Sequence, residues 1–245
     1  MTKAEIQFVR SLSDKRVRDA ERLFIAEGDK LIGEILQSNL KVRHLYALEG
    51  HFDGRAERVS EKEMERISQL KTASTSLAVV EQPRHKSVKS APAGALSLAL
   101  DGVQNPGNLG TIIRLADWFG VEDIFCSEDT ADCFNPKVVQ ATMGAILRVR
   151  VHYLPLADFL RHTRESGVEV YGTMLDGQNI YDVELAPTGV IVMGNEGRGV
   201  SAECAASFSR RLLIPAYSAA GQGSESLNVA MATGIVCAEF RRRMR

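Results

Sequence analysis

The chain has 245 residues, of which 44% are hydrophobic and 25% charged, and its formal net charge is -1. This composition is typical of a globular protein with ample material for a packed core, and it excludes a disordered or fibrous chain. No apolar run reaches the roughly 18 to 20 residues that a bilayer span requires, and the first residues lack the apolar core of a signal peptide, so we expect a cytoplasmic protein.

The first 83 residues predict a small α/β domain. Apolar residues at helical spacing indicate a helix over 29–39, whereas the mixed apolar run at 42–48 fits a buried strand better. The predicted elements in order are FIAEG (strand), DKLIGEILQSN (helix), VRHLYAL (strand), EKEMERISQL (helix) and LAVVEQ (strand).

A change of composition follows in PRHKSVKSAPAGA, where prolines, small residues and basic side chains interrupt the apolar pattern. We place a linker at 84–95, which divides the chain into a first domain, 1–83, and a second domain, 96–245. Two domains also suit a chain of this length, because single domains are usually about 100 to 200 residues long.

Strand-like and helix-like segments alternate through the second domain. This order predicts an α/β fold with a mostly parallel sheet that is covered on both faces, and it predicts ligand sites beyond the carboxyl ends of the strands. The segments are LSLALD, NLGTIIRLADWFG, DIFCS, PKVVQATMGA, VRVHY, LADFLRHTRES, VEVYGTML, GVIVMG, RLLIPA and SLNVAMATGIVCAEFRRR.

The four cysteines predict neither a disulfide framework nor a metal site. They are widely spaced, with no C-x-x-C pair and no histidine at metal-ligand spacing, so we expect them to be reduced and buried and expect no bound metal. They are Cys126, Cys133, Cys204 and Cys237.

Three loops at strand ends carry candidate functional residues. In the first, 98–121, a strand leads through a turn rich in Gly and Asn into a helix. Asn108 is suited to cap that helix, Gly110 permits close backbone approach, and Arg114 can project toward a phosphate or polar substrate. Taken alone, the segment is equally compatible with a capped helix that carries an exposed arginine.

The second loop, 189–201, follows an apolar strand and contains clustered glycines and Glu196. Glycines let the backbone approach a ligand closely, and Glu196 is able to bind a hydroxyl or orient another side chain, although a plain strand-to-helix turn has the same composition. The chain has no G-x-G-x-x-G segment entering a helix and no Walker A segment, which argues against a dinucleotide site or a nucleoside triphosphatase.

The third loop ends at Ser226 and Asn228, which open the last helix. The unpaired amides of a helix N-terminus favour polar or anionic groups, and helix capping alone also explains both residues. The helix itself carries apolar side chains, and we expect these to pack inward. They are Val229, Met231, Ala232 and Ile235.

Together, NPGNLGTIIRLADWFGV, VMGNEGRGVS and IPAYSAAGQGSESLNVAMATGI resemble motifs 1, 2 and 3 of the SpoU RNA methyltransferases, in order and spacing. PKVVQATMGAI resembles the segment that the family carries between motifs 1 and 2. LSDKRVRDAERLFIAEGDKLIGEIL resembles the start of the L30e-like RNA substrate-binding domain of members that act on ribosomal RNA. The resemblance implies a SPOUT α/β domain with a C-terminal trefoil knot, S-adenosyl-L-methionine as cofactor, methylation of a ribose 2′-hydroxyl in RNA, and a homodimer through the final helix.

The resemblance also implies roles for individual residues. Arg114 matches the essential arginine of the family; since a guanidinium is a poor proton acceptor, we expect it to stabilise the developing alkoxide or clamp a phosphate. The loop 215–225 is longer than the compact family form, so the contacts of Gly221 and Gly223 stay unassigned. The implied catalytic residues are Arg114, Asn108, Glu196, Ser226 and Asn228, and the implied cofactor-binding residues are Met193, Gly194, Ile214, Leu227 and Asn228.

The resemblance of the first domain favours ribosomal RNA over transfer RNA as the substrate. Two other interpretations stay open: a non-catalytic RNA-binding dimeric scaffold of the same fold, and a methyltransferase that acts on a base. Several basic side chains are candidates for phosphate contacts, although each is equally explained as a solvated surface residue. They are Lys15, Arg16, Arg18, Arg22, Lys30, Lys41, Arg43, Arg84, Lys86 and Lys89.

Overall fold

The protein is described by a computed structural model that covers residues 1–217 and 226–243. The chain divides into two compact units, the first formed by Met1–Arg84 with Asp132–Leu147 and the second by His85–Ala131 with Arg148–Arg245. The segment Asp132–Leu147, which the sequence assigned to the second domain, therefore packs with the first unit. No helix of the described residues is long and apolar enough to cross a membrane.

The predicted strands and helices occur in the predicted order, and the described residues also form elements that were not predicted: helices at 3–11, 15–21 and 202–205 and a short strand at 57–58. The helices are α1 (Lys3–Ser11), α2 (Lys15–Glu21), α3 (Asp29–Gln37), α4 (Glu61–Ile67), α5 (Pro106–Trp118), α6 (Pro136–Ala141), α7 (Leu156–Glu165), α8 (Ala202–Ala205) and α9 (Val229–Arg242). The strands are β1 (Leu23–Glu27), β2 (Val42–Ala47), β3 (Glu57–Arg58), β4 (Ser76–Glu81), β5 (Leu96–Asp101), β6 (Asp123–Cys126), β7 (Arg150–Tyr153), β8 (Val170–Asn179), β9 (Gly189–Gly194) and β10 (Arg210–Leu213).

The first unit is a small sheet with an apolar core on each face. Its strand order is β1-β4-β2-β3, with β4 antiparallel to both β1 and β2. Val9 of α1 and Met64 of α4 are buried on one face, and Ile32 and Ile35 of α3 on the other. Val139 of α6 belongs to the second of these cores, which explains why Asp132–Leu147, the inserted segment, is part of this unit.

Arg18 was expected among the candidate phosphate ligands, and that expectation is wrong. The side chain is only 1% exposed, and its guanidinium donates to the Asp132 carboxylate, with Nη2 and Oδ2 2.5 Å apart. Nη1 also donates to the carbonyl oxygens of Leu12 and Ser13. A guanidinium with these partners has no free face for RNA. It fixes the end of α1 and the inserted segment within the first unit.

The second unit contains a six-stranded sheet in the described residues, with the order β10-β8-β9-β5-β6-β7. Every neighbouring pair is parallel, which confirms the predicted parallel α/β fold. The central strands β5 and β9 are buried along nearly their whole length, as expected for strands covered on both faces. The trefoil knot stays a prediction, and the predicted long loop with Gly221 and Gly223 falls largely on 218–225, outside the described residues.

Candidate active site

A cavity of about 520 Å³ lies at the carboxyl ends of the parallel strands of the second unit. Its described walls are formed by 173–176 of β8, the loop 193–200 after β9, the end of β10 at 212–214, and the start of α9. The β8 wall exists because the register between β8 and β10 jumps from Gly172 to Gln178, which takes the intervening residues out of the ladder. The carboxyl ends of a parallel sheet are where such proteins usually bind ligands.

The cavity brings together most of the predicted site residues. The residues predicted to bind the cofactor at the ends of β9 and β10 line it, as do Ser226 and Leu227 before α9. Asn108, Arg114 and Asn228 are not part of its described lining. The predicted residues that line the cavity are Met193, Gly194, Glu196, Ile214, Ser226 and Leu227.

Gly194 is required by packing at the end of β9. A Cβ atom there would lie 2.4 Å from the carbonyl carbon of Gly199 and 2.5 Å from the amide nitrogen of Val200. Both of those atoms belong to the backbone, so no side-chain rotation can relieve the clash. Any side chain at this position would push apart the two ends of the loop that lines the cavity, so the sequence needs a glycine here.

A chain of polar contacts joins the three loops beside the cavity. The Asn108 side-chain amide donates to the Glu196 carboxylate, and the Asn228 amide donates to Oδ1 of Asn108 over 3.0 Å. Oδ1 of Asn228 accepts from Ala230 N and Met231 N at the start of α9. The predicted grouping of Asn108, Glu196 and Asn228 is therefore present in the fold, and Asn228 is both a helix cap and a member of the chain.

The structure corrects the role of Asn108 as a helix cap. Helix α5 begins at Pro106, and Asn105 caps it by accepting from Gly107 N and Asn108 N. Proline is favoured at the first helical position because its missing amide hydrogen is not needed there. Asn108 lies inside the first turn, and its side chain is free to bind Glu196.

Arg114 stands apart from this polar chain. Within residues 1–217 and 226–243 its exposed guanidinium has no hydrogen bond and no ion pair. Six residues along an α-helix correspond to a rotation of about 120° from the starting side, so Arg114 points away from the face that carries Asn108. The structure does not bring Arg114 to the other predicted catalytic residues of the same chain.

The same side of the protein carries exposed apolar residues. Trp118 lies one turn after Arg114 and is 83% exposed, and Met231 of the adjacent α9 is 64% exposed. The expectation that Met231 packs inward is therefore wrong, although Val229 is buried. Helices α5 and α9 lie side by side, since Arg241 donates to the carbonyl oxygens of Phe119 and Gly120. We call the surface formed by Arg114, Trp118 and Met231 the α5–α9 face.

Several residues at the cavity were not predicted from the sequence. Thr173 and Asp176 line it from β8, and no motif pointed to them, because their placement follows from the register jump. Asn195 was missed although it stands directly between Gly194 and Glu196, where a turn-forming amide residue is a recognisable signal. Its side chain binds three backbone groups of the loop region.

The described residues contain no group of three or more His, Cys, Asp and Glu side chains that could hold a metal ion. All four cysteines are buried. Burial raises the pKa of the Cys204 thiol to about 11 and that of the Cys237 thiol to about 12. The thiols of Cys204 and Cys237 are therefore protonated and uncharged at neutral pH.

A parallel sheet with a ligand-sized cavity at the carboxyl ends of its strands defines the second unit as an α/β protein that binds a small molecule at that edge. The model of the SpoU rRNA methylase family matches residues 95–238, and that of the MRM3-like substrate-binding domain matches residues 3–84. The chain therefore belongs to the SpoU rRNA methylase family.

Individual relatives match over nearly the whole chain. The 23S rRNA (guanosine(2553)-2′-O)-methyltransferase RlmP of Bacillus subtilis is 30% identical over 240 residues, covering 95% of this chain and 94% of that protein. The AdoMet-bound rRNA methyltransferase from Sinorhizobium meliloti is 32% identical, with a TM-score of 0.87 and coverage of 100% and 97%. A TrmH-family protein from Porphyromonas gingivalis is 40% identical, with a TM-score of 0.87 and 99% coverage of both chains.

Proposed function

We propose that this protein transfers a methyl group from S-adenosyl-L-methionine to a ribose 2′-hydroxyl of ribosomal RNA. The observation that carries the proposal is the cavity at the carboxyl edge of the sheet, with the polar chain of Asn108, Glu196 and Asn228 at its side. The relatives that match nearly the whole chain support both the reaction and the substrate class, since they are named as rRNA methyltransferases.

The residues around the cavity fit the proposed cofactor. A volume of about 520 Å³ lies within the range of roughly 300 to 1,000 Å³ that is usual for small-molecule sites. Met193, Ile214 and Leu227 offer apolar contacts, while the backbone around Gly194 offers amide and carbonyl groups at close approach. When bound, S-adenosyl-L-methionine supplies a methyl group on a positively charged sulfur.

The side chains around the cavity then have to hold the ribose and help its hydroxyl to lose a proton. We assign Glu196 and Asn108, which are hydrogen-bonded to each other, to the orientation of the nucleotide, and Ser226 lies on the cavity wall. Arg114 is assigned to the developing negative charge on the ribose oxygen or to the adjacent phosphate, because its planar guanidinium suits either group.

A homodimer through the α5–α9 face completes the proposed site. Trp118 and Met231 are large apolar side chains that are exposed in the single chain, and covering them with a second copy would remove apolar surface from water. Arg114 lies on the same face and points away from Asn108 of its own chain. We therefore assign Arg114 to the site of the partner copy, where its guanidinium would meet the polar chain.

RNA binding is assigned to the first unit together with the catalytic site. Arg22, Lys30 and Lys41 form no ion pair with the described side chains and are available for phosphate contacts. Lys15, Arg16 and Arg43 pair with neighbouring carboxylates on the surface, and such exposed pairs are weak enough to exchange for phosphate. A cytoplasmic location belongs to this proposal.

Purified protein tests the proposal when it is titrated with S-adenosyl-L-methionine by calorimetry and then incubated with labelled cofactor and unmodified ribosomal RNA. We expect a measurable heat of binding and label that survives in nuclease-resistant dinucleotides, the mark of a methylated ribose. Absence of binding and of incorporation would favour the non-catalytic scaffold. Label recovered on a free base would favour base methylation.

A further inference from the structure

One side chain closes the loop 195–199 that lines the cavity. Oδ1 of Asn195 accepts from Gly197 N at 2.9 Å and from Arg198 N at 3.1 Å, and Nδ2 donates to the carbonyl oxygen of Gly102 at 2.7 Å. The backbone of Asn195 also exchanges two hydrogen bonds with Gly199. The orientation of the amide is fixed at both ends, because two donors face the oxygen and an acceptor faces the nitrogen.

The carboxyl end of β5 anchors both ends of this loop. Gly102 receives the Asn195 amide, and its neighbour Asp101 accepts from Ser201 N at 2.7 Å. A Cβ atom on Gly194 would clash with the backbone of Gly199, so little free space remains between the end of β9 and the returning chain. The loop is thus tied to β5 by two adjacent residues and can adopt few other shapes while both ties hold.

The loop carries two parts of the proposed site. Glu196 lies next to Asn195 and binds Asn108, while Gly194 and 196–200 form one wall of the cavity. Moving the loop away from Gly102 would therefore shift the cavity wall and the Glu196 carboxylate together. We propose that Asn195 is a positioning residue that latches this loop onto the carbonyl of Gly102 and so keeps the cavity in its cofactor-binding shape, an inference that rests on the proposed function.

The asparagine amide suits this position because it offers a donor nitrogen and an acceptor oxygen on two separate atoms of one planar group. An ionised aspartate keeps the two bonds from Gly197 N and Arg198 N but loses the donated one, and it sets a negative oxygen against the Gly102 carbonyl. The substitution Asn195→Asp is therefore a selective test of the latch. Asn195→Ala removes all three bonds.

The experiment measures three quantities for Asn195→Asp and Asn195→Ala. They are the Kd for S-adenosyl-L-methionine by calorimetry without RNA, the melting temperature, and hydrogen exchange over residues 195–201 in the cofactor-free protein. Asn135→Asp is the matched control, since Asn135 caps α6 by accepting from Lys137 N, a bond that aspartate retains. We expect the control to match the wild type in all three quantities.

For Asn195→Asp we expect at least a tenfold rise in Kd, about 1.4 kcal/mol, faster exchange over 195–201, and a melting temperature within about 4 °C of the wild type. Asn195→Ala should lose at least as much affinity. A Kd that stays within fivefold of the wild type overturns the proposal, and so does unchanged hydrogen exchange. A fall in melting temperature beyond about 8 °C would assign Asn195 to general stability and overturn it too.

The proposed function and the latch fail in different ways. A wild-type protein that gives no heat with S-adenosyl-L-methionine refutes the proposed function, and hydrogen exchange then decides the latch alone. If the wild-type protein binds the cofactor and Asn195→Asp binds it equally well, only the latch proposal is refuted.

Discussion

Replacing Arg114 tests whether its guanidinium takes part in the reaction or is only an exposed side chain of α5. The side chain is exposed and has no hydrogen bond or ion pair within the described parts of the chain. Its loss should therefore change the free energy of unfolding of the single chain by less than about 0.5 kcal/mol. Arg114 also lies outside the described lining of the cavity, so the Kd for S-adenosyl-L-methionine should stay near that of the wild type.

Turnover should respond very differently. A preorganised donor that stabilises charge in the transition state is typically worth about 10² to 10³ in kcat, or roughly 3 to 4 kcal/mol. Arg114→Lys keeps the positive charge but loses the planar guanidinium with its paired donors. We therefore expect its kcat to fall nearly as far as that of Arg114→Ala. The assay is single-turnover methylation of ribosomal RNA at saturating cofactor and RNA, read beside calorimetry and thermal melting.

Arg161→Lys serves as the matched control. Arg161 is an exposed arginine of α7 in the same unit, where it pairs with Asp158 and Glu165. We expect this variant to keep wild-type turnover. If Arg114→Lys keeps more than about a third of wild-type turnover, the assigned role is refuted, because loss of a transition-state contact should lower kcat far more than that.

Four further predictions follow from the geometry. Arg18→Ala should lower the free energy of unfolding by about 3 to 5 kcal/mol in chemical denaturation, because the Asp132 carboxylate loses its buried partner. Arg16→Ala, at a surface pair, should leave that free energy near the wild-type value, and equal effects of the two substitutions would contradict the burial argument. Light scattering should give twice the 26.9 kDa chain mass, and Met231→Glu should shift the protein toward monomer; a fully active wild-type monomer would count against the α5–α9 face. Mixing inactive Arg114→Ala and Asn108→Ala proteins should restore about a quarter of wild-type activity through mixed dimers, and no recovery would place Arg114 in the site of its own chain. Thiol reagents should label none of the four cysteines in the native protein at neutral pH, since all are buried; rapid labelling would show that the core opens.

The sequence predicts the central strands and the long helices of the second unit well because each shows its own pattern, whereas the four-residue helix α8 was not predicted. Strands β5 and β9 are nearly continuous apolar runs, and in the structure they lie side by side in the centre of the parallel sheet. Asn108, Glu196 and Asn228 are far apart in sequence and meet in the fold, a grouping that only the resemblance to a family anticipated.

Other features depend on tertiary packing that no local pattern reports. Arg18 looks like an ordinary basic residue of a charged helix, and its burial depends on Asp132, more than a hundred residues later. Met231 falls at an apolar position of α9, but that position faces outward. Asn195 was passed over because its importance lies in what it binds across the sheet, the carbonyl of Gly102.

The most direct test of the proposed function maps ribose methylation across all RNA from cells with and without this protein. We predict that one or a few 2′-O-methylated nucleotides of ribosomal RNA disappear in the deletion strain, return with the wild-type protein, and stay absent with Arg114→Ala. Ribosomal RNA whose ribose methylation is identical in the two strains, or a lost methyl group that maps to a base, would contradict the proposal.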